Sequence, residues 1–183
     1  MDEMDQLDKE IVEKYPLIFK NRYADKQITA MCWGLCIGKG WYPLVDALCA
    51  QLYSKYNSKK STYEWQQKMV GETRYNGELY TQEEADEAKK EMDDAAAEIP
   101  VASQVKEKFG GLRFYVDHAT KEHHEVIDFA ERLSYHICEE CGTMKDVHTW
   151  EMGWAATLCK EHAEARYGVE RVESYLECVQ NRP

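Results

Sequence analysis

Two short cysteine-containing pairs constrain this chain more than any other feature. Cys138-Glu-Glu-Cys141 is followed, after seventeen residues, by Cys159-Lys-Glu-His162. A Cys-x2-Cys turn aims two thiolates at one point, and Gly142 directly after it permits the tight backbone of such a knuckle. The second pair stands where LCKEHAEARY turns helical, so free N–H groups and the positive end of a helix can steady thiolate charge. Sulfur and nitrogen donors at this spacing suit a tetrahedral Zn²⁺ ion with Cys138, Cys141, Cys159 and His162 as its ligands. His136 and His148 are spare donors. Four protein ligands leave no position for a reacting water, so the expected cofactor is one structural Zn²⁺ that folds a segment too short to hold itself. A knuckle, a short β-rich stretch and a ligand pair at a helix start resemble the treble-clef type of zinc finger, over residues 136–170.

The remaining cysteines are read in the setting the rest of the chain implies. The N-terminus, MDEMDQLDKE, is acidic and polar, the opposite of a secretory signal, and no stretch approaches the roughly 20 apolar residues of a membrane span. A reducing, cytoplasmic location is therefore expected, where thiols stay free or bind metal. Cys32 and Cys36, spaced i, i+4, and Cys49 on an apolar stripe read as small packed residues rather than a second metal site. Cys178 reads the same way. The net charge of -11 repels phosphate backbones at long range and disfavours nucleic acid as a general partner.

Along the chain, apolar spacing predicts helices over 5–15 and 25–35, and a stronger one from Trp41 through Leu44, Val45, Leu48 and Leu52 to Tyr56. Pro43 sits in the first turn of the last of these, where a missing N–H costs nothing. Residues 57–80 are polar and weakly periodic, with Gly71 and Asn76-Gly77 as turn signals. Thr81 and Glu84 form a capping box that opens a largely solvated helix to residue 98. VKEKFGGLRFYV predicts a two-residue hairpin about Gly110-Gly111. Helices follow over 122–136 and about 160–178. The expected class is α+β: a mainly helical N-terminal part packed on a β hairpin, with a C-terminal treble-clef-like zinc module. The expected domains are 1–135, with a variable insertion at 57–98, and 136–183.

Other constellations are weaker. The glycines of CIGKGWYP lack the full run and preceding strand of a phosphate-cradling loop. His123 and His124 have no positioned catalytic partner and read as a solvated face. Asp146 and His148 lie where a treble-clef metal-dependent nuclease would carry its catalytic histidine, but the usual Asp-His start and later Asn are missing. Lys106, Lys108 and Arg113, interleaved with Phe109, Phe114 and Tyr115, could stack bases and hold phosphates, although alternation in a strand gives one core face and one wet face by default. Trp41 and Tyr42 are residue types that suit an interface. Lys106, Lys108, Arg113, Tyr115, Trp41 and Tyr42 are accordingly the candidate binding surface. The acidic run at 83–98 reads as a solvated helix.

Three segments together resemble a family of uncharacterised bacteriophage and prophage proteins: KYPLIF and GWYPLVDALC (14–19 and 40–49), QVKEKFGGLRFYV (104–116), and ICEECG, GW and LCxxH (137–142, 153–154 and 158–162). The resemblance spans most of the chain outside 57–98. It implies an accessory protein acting in the bacterial host cytoplasm on a protein of host or phage. The function expected is a zinc-stabilised binding protein, with counter-defence or host takeover as its setting and no catalytic residues. The alternatives are nucleic-acid binding through the 104–116 hairpin and zinc module, and a treble-clef nuclease.

Overall fold

The computed structural model describes residues 3–27 and 29–180, and Ile28, inside the expected 25–35 helix, lies outside them. The fold is α+β. Helix α1 (Glu3–Lys14) turns Ile11 and Val12 inward. A tight segment then leads through a 3₁₀ turn (Ala30–Trp33) to strand β1 (Leu35–Cys36). The expected 25–35 helix is thus a 3₁₀ turn and an edge strand. The reason lies in a long-range pin. Asp8 is buried, accepts the Leu35 N–H at 2.9 Å and pairs with Arg22 at 2.8 Å, and Arg22 donates to the Cys32 carbonyl at 3.0 Å. Those bonds hold the segment extended, which local propensity does not show.

Helix α2 (Tyr42–Leu52) buries Leu44, Val45, Leu48, Cys49 and Leu52. It stops at Tyr53 and resumes as α3 (Ser54–Met69). Tyr53 is held there by the Leu17 N–H on its hydroxyl (2.6 Å) and by edge-on rings of Tyr15 and Tyr56. Helix α3 buries no residue at all, which is why 57–69 carries no apolar period. It packs on α4 (Gln82–Glu98), which offers Ala85, Ala88 and Ala95, while Lys55–Glu98 and Lys59–Glu91 bridge the two helices. The Thr81–Glu84 capping box starts α4 as expected.

Strands β2 (Val101–Lys108) and β3 (Gly111–Asp117) form the hairpin, with β1 parallel to β2 on the other side. The turn is Phe109-Gly110, one residue earlier than the glycine pair suggested, with φ of 56° and 77°. Gly111 is needed for space instead, because a Cβ there would lie 2.4 Å from the Tyr135 ring. Helix α5 (Lys121–Ser134) covers the β3 edge: Ser134 and Glu131 accept the N–H groups of Leu112 and Phe114. His123 completes the capping box at its start by accepting the Thr120 N–H.

The C-terminal region holds β4 (Val147–Trp150), antiparallel to β5 (Ala156–Cys159), then α6 (Lys160–Tyr167) and α7 (Val169–Gln180). The expected single last helix is therefore two, divided at Gly168 with φ of 89°. Two cores result. The larger gathers Trp41, Leu48, Leu112 and Phe114 among others, and the smaller gathers Cys138, Trp150, Leu158, Cys159, Ala163 and Val172. Among the described residues no helix is long and apolar enough to cross a membrane.

Candidate metal centre

The knuckle is closed by backbone bonds. Gly142 donates to the Cys138 carbonyl at 2.8 Å, Cys138 donates to Thr143 at 2.9 Å, and Gly142 turns with φ of 75°. Glu139 donates to the Thr157 carbonyl at 2.9 Å, which fastens the knuckle to β5. Cys159 ends β5 and stands at the N-cap of α6, and His162 lies in the first turn of that helix. The donor atoms of Cys138, Cys141, Cys159 and His162 all fall within 4.8 Å of one another. Cys141 and Cys159 sulfurs are 4.0 Å apart, and the Cys138 sulfur is 3.8 Å from His162 Nδ1. A tetrahedral ion with metal–sulfur bonds near 2.3 Å has ligand–ligand edges of about 3.8 Å. Those two edges fit. The Cys159–His162 edge, 3.1 Å, is short of that value.

The electrostatics point the same way. Burial, then the adjoining sulfurs of Cys138 and Cys141, push the Cys159 thiol up to about 11 against the pull of the His162 backbone. Burial also opposes ionisation of Cys138, but backbone groups of Cys159, Cys141 and Glu140 outweigh it and hold that thiol below its ordinary value. Three crowded sulfurs cannot all ionise unaided, and a cation among them removes the conflict. The four side chains thus fit a metal ion held wholly by protein donors.

The knuckle also sits in a socket made by the N-terminal region. Gly40 donates to the Glu139 carbonyl at 2.8 Å, and the buried Trp41 indole donates to the Ile137 carbonyl at 2.8 Å. A Cβ on Gly40 would lie 2.2 Å from the Cys138 carbonyl oxygen, and one on Gly38 equally close to that of Glu139. Only glycine allows backbone to meet backbone here. A second contact joins the hairpin turn to β5, where the buried Thr157 hydroxyl donates to the Gly110 carbonyl at 2.5 Å. Arg166 spans Glu139 (3.2 Å) and Glu140 (2.8 Å). Burial raises the Glu139 carboxyl, and Arg166 only partly opposes that.

The other sequence candidates are dispersed. Trp41 and Tyr42 are buried, so they are core and not a binding surface; the indole N–H that suits an interface is used inside the molecule. Lys106, Lys108 and Tyr115 do share the outer face of the hairpin. Arg113, half-buried, is engaged with the Tyr135 hydroxyl at 3.0 Å and lies 3.8 Å from Glu131. Cys49 is buried, but Cys36 and Cys178 are exposed and Cys32 is intermediate, so the packing expectation fits Cys49 alone. His148 is exposed on β4 against Trp150, and neither it nor Asp146 belongs to a metal-capable group among the described residues. Gly38, Gly40, Thr157 and Arg166 were not legible as site residues. The one signal was the glycine pair in CIGKGWYP, whose partner lies a hundred residues away. No protein-family model, no curated protein and no solved structure matches this chain.

Proposed function

We propose that this is a zinc-stabilised binding protein, in which one structural Zn²⁺ on Cys138, Cys141, Cys159 and His162 holds a treble-clef-like module against the N-terminal core. The observation that carries this reading is the convergence of four soft or borderline donors within 4.8 Å. Thiolate and imidazole favour zinc over hard oxygen-seeking ions, and a full protein shell favours a structural role over catalysis. Knuckle, hairpin and helix-start ligands follow one another in the order of a treble clef. The partner is a protein of the bacterial host or of a phage, met in the host cytoplasm; this part rests on the family resemblance of the sequence.

Replacing the native ion with Co²⁺ tests the site. Intense ligand-field absorption with one equivalent bound is expected for a closed tetrahedral thiolate shell. Weak bands that shift when azide is added would indicate an open position and contradict the structural role. The binding role is tested by incubating the loaded protein with plasmid DNA and a peptide-bond substrate panel: no metal-dependent turnover is expected, and turnover abolished by Cys159→Ser would overturn it.

A further inference from the structure

A cleft of about 560 Å³ opens beside the metal knuckle, bounded by α1, the start of α2 and residues 140–142. That volume lies in the range of ligand sites, roughly 300–1,000 Å³. Its apolar lining comes from Leu7 and Ile11 on α1 and from Tyr42 and Pro43 on α2. On α1 the lining runs from Glu3 to Lys14, three helical turns or about 16 Å. An extended chain covers that length in about five residues, whereas a compact amine would fill only part of it.

The charges of the cleft are unbalanced. Lys39 is already paired with Glu3 at 3.1 Å, and Lys14 with Asp46 at 2.7 Å. Two further carboxylates line the cleft, Glu10 and Glu140. Among the described residues Glu10 accepts from the neutral Gln6 amide (2.7 Å) and has no cationic partner, while Glu140 meets Arg166, which it shares with Glu139. The residual charge is negative, in a chain that carries -11 overall.

We infer that this cleft is the docking site of the binding protein, and that its occupant is an extended segment of a partner protein carrying lysine or arginine beside a large apolar residue. The inference rests on the binding-module reading. Apolar contact would come from Leu7 and the exposed Pro43, over a floor formed by the buried Ile11 and Tyr42, with the cation between Glu10 and Glu140. Because Glu140, Cys141 and Gly142 form one wall, the cleft is complete only while the metal holds the knuckle in place.

The test uses the full metal-loaded chain, with metal content measured on the same sample. The probes are acetyl-Ala-Lys-Leu-Phe-Ala-amide, its glutamate counterpart in place of lysine, and phenethylammonium. Binding is followed by amide shifts at Gly40, Cys141 and Gly142. The lysine peptide should bind at these amides about fivefold more tightly than the glutamate peptide, and phenethylammonium more weakly still. In the Glu10→Lys/Glu140→Lys double variant, altered only at surface side chains, the preference should reverse. Equal binding of the two peptides, shifts elsewhere, or no binding to folded, loaded protein would overturn the cleft. Phenethylammonium binding as well as the peptide would replace a protein segment by a small amine. A folded chain without metal that still binds the lysine peptide would sink the metal reading and leave the cleft standing.

Discussion

The N-terminal core closes over a three-stranded sheet with Trp41, Leu48, Leu112 and Phe114, all buried, drawn from elements far apart in the chain. The C-terminal core has Trp150, Leu158, Ala163 and Val172, and two of its buried positions are the metal-ligand candidates Cys138 and Cys159. A region of some 45 residues shields too little apolar surface to fold by burial alone. The first region is held by apolar area; the second has less of it and brings together four donors that can share an ion. The contrast extends to the join. The knuckle meets its socket through close backbone contacts at Gly38 and Gly40 and through the Trp41 indole hydrogen bond to Ile137.

Cys159→Ser should break the comparison most severely. Metal affinity at structural sites is worth on the order of 10 kcal/mol, so the variant should lose its metal and the dispersed NMR signals of β4, β5 and α6. Those of α2, β2 and β3 should persist. Collapse of both sets together would mean that the two cores are not separate in origin. Leu112→Ala, at a fully buried position of the larger core, should cost about 3 kcal/mol in urea denaturation and leave the metal-to-protein ratio unchanged. Loss of metal in that variant would count against the division.

Gly40→Ala probes the join. Its new Cβ would stand 2.2 Å from a backbone oxygen, so something must shift. A cost of about 2 kcal/mol is expected, together with release of metal at lower chelator concentration than wild type; unchanged metal retention would show that the socket does not support the knuckle. The smallest effect belongs to Asp46. Burial raises its carboxyl, but hydrogen bonds from Lys14 and Tyr15 outweigh this and hold it below its ordinary value. A depressed carboxyl stabilises above its unfolded value, near 3.9, and that contribution is lost as pH falls through the folded value. Asp46→Asn should therefore cost about 0.5 kcal/mol at pH 6, screened by solvent, and nothing once the carboxyl is protonated well below pH 4. A difference that persists in acid would place its cause outside the ion pair.

What the sequence made legible follows from how local each cause is. The Cys/His pairs, the Thr81–Glu84 box and the apolar stripe of α2 are set by spacing within a few residues. The strand at Leu35–Cys36 depends on Asp8, the interruption at Tyr53 depends on Leu17, and the tight glycines depend on residues 138–142. None of those partners is near in sequence. The residues of α3 from 57 onward read as polar and weakly periodic because that helix leans on alanines and Lys–Glu pairs instead of burying a stripe of its own. Gly168, with φ of 89°, ends α6 inside the span that apolar spacing predicts as one helix.

The central claim, a metal-held knuckle seated on the N-terminal core, is tested most directly by hydrogen exchange on the loaded protein before and after chelation. Peptides covering 137–163 and the separate segment 38–42 should lose protection together, while 45–52 and 101–108 keep theirs. Loss confined to 137–163, with 38–42 unchanged, would contradict the coupling, and no change anywhere would contradict the metal centre itself.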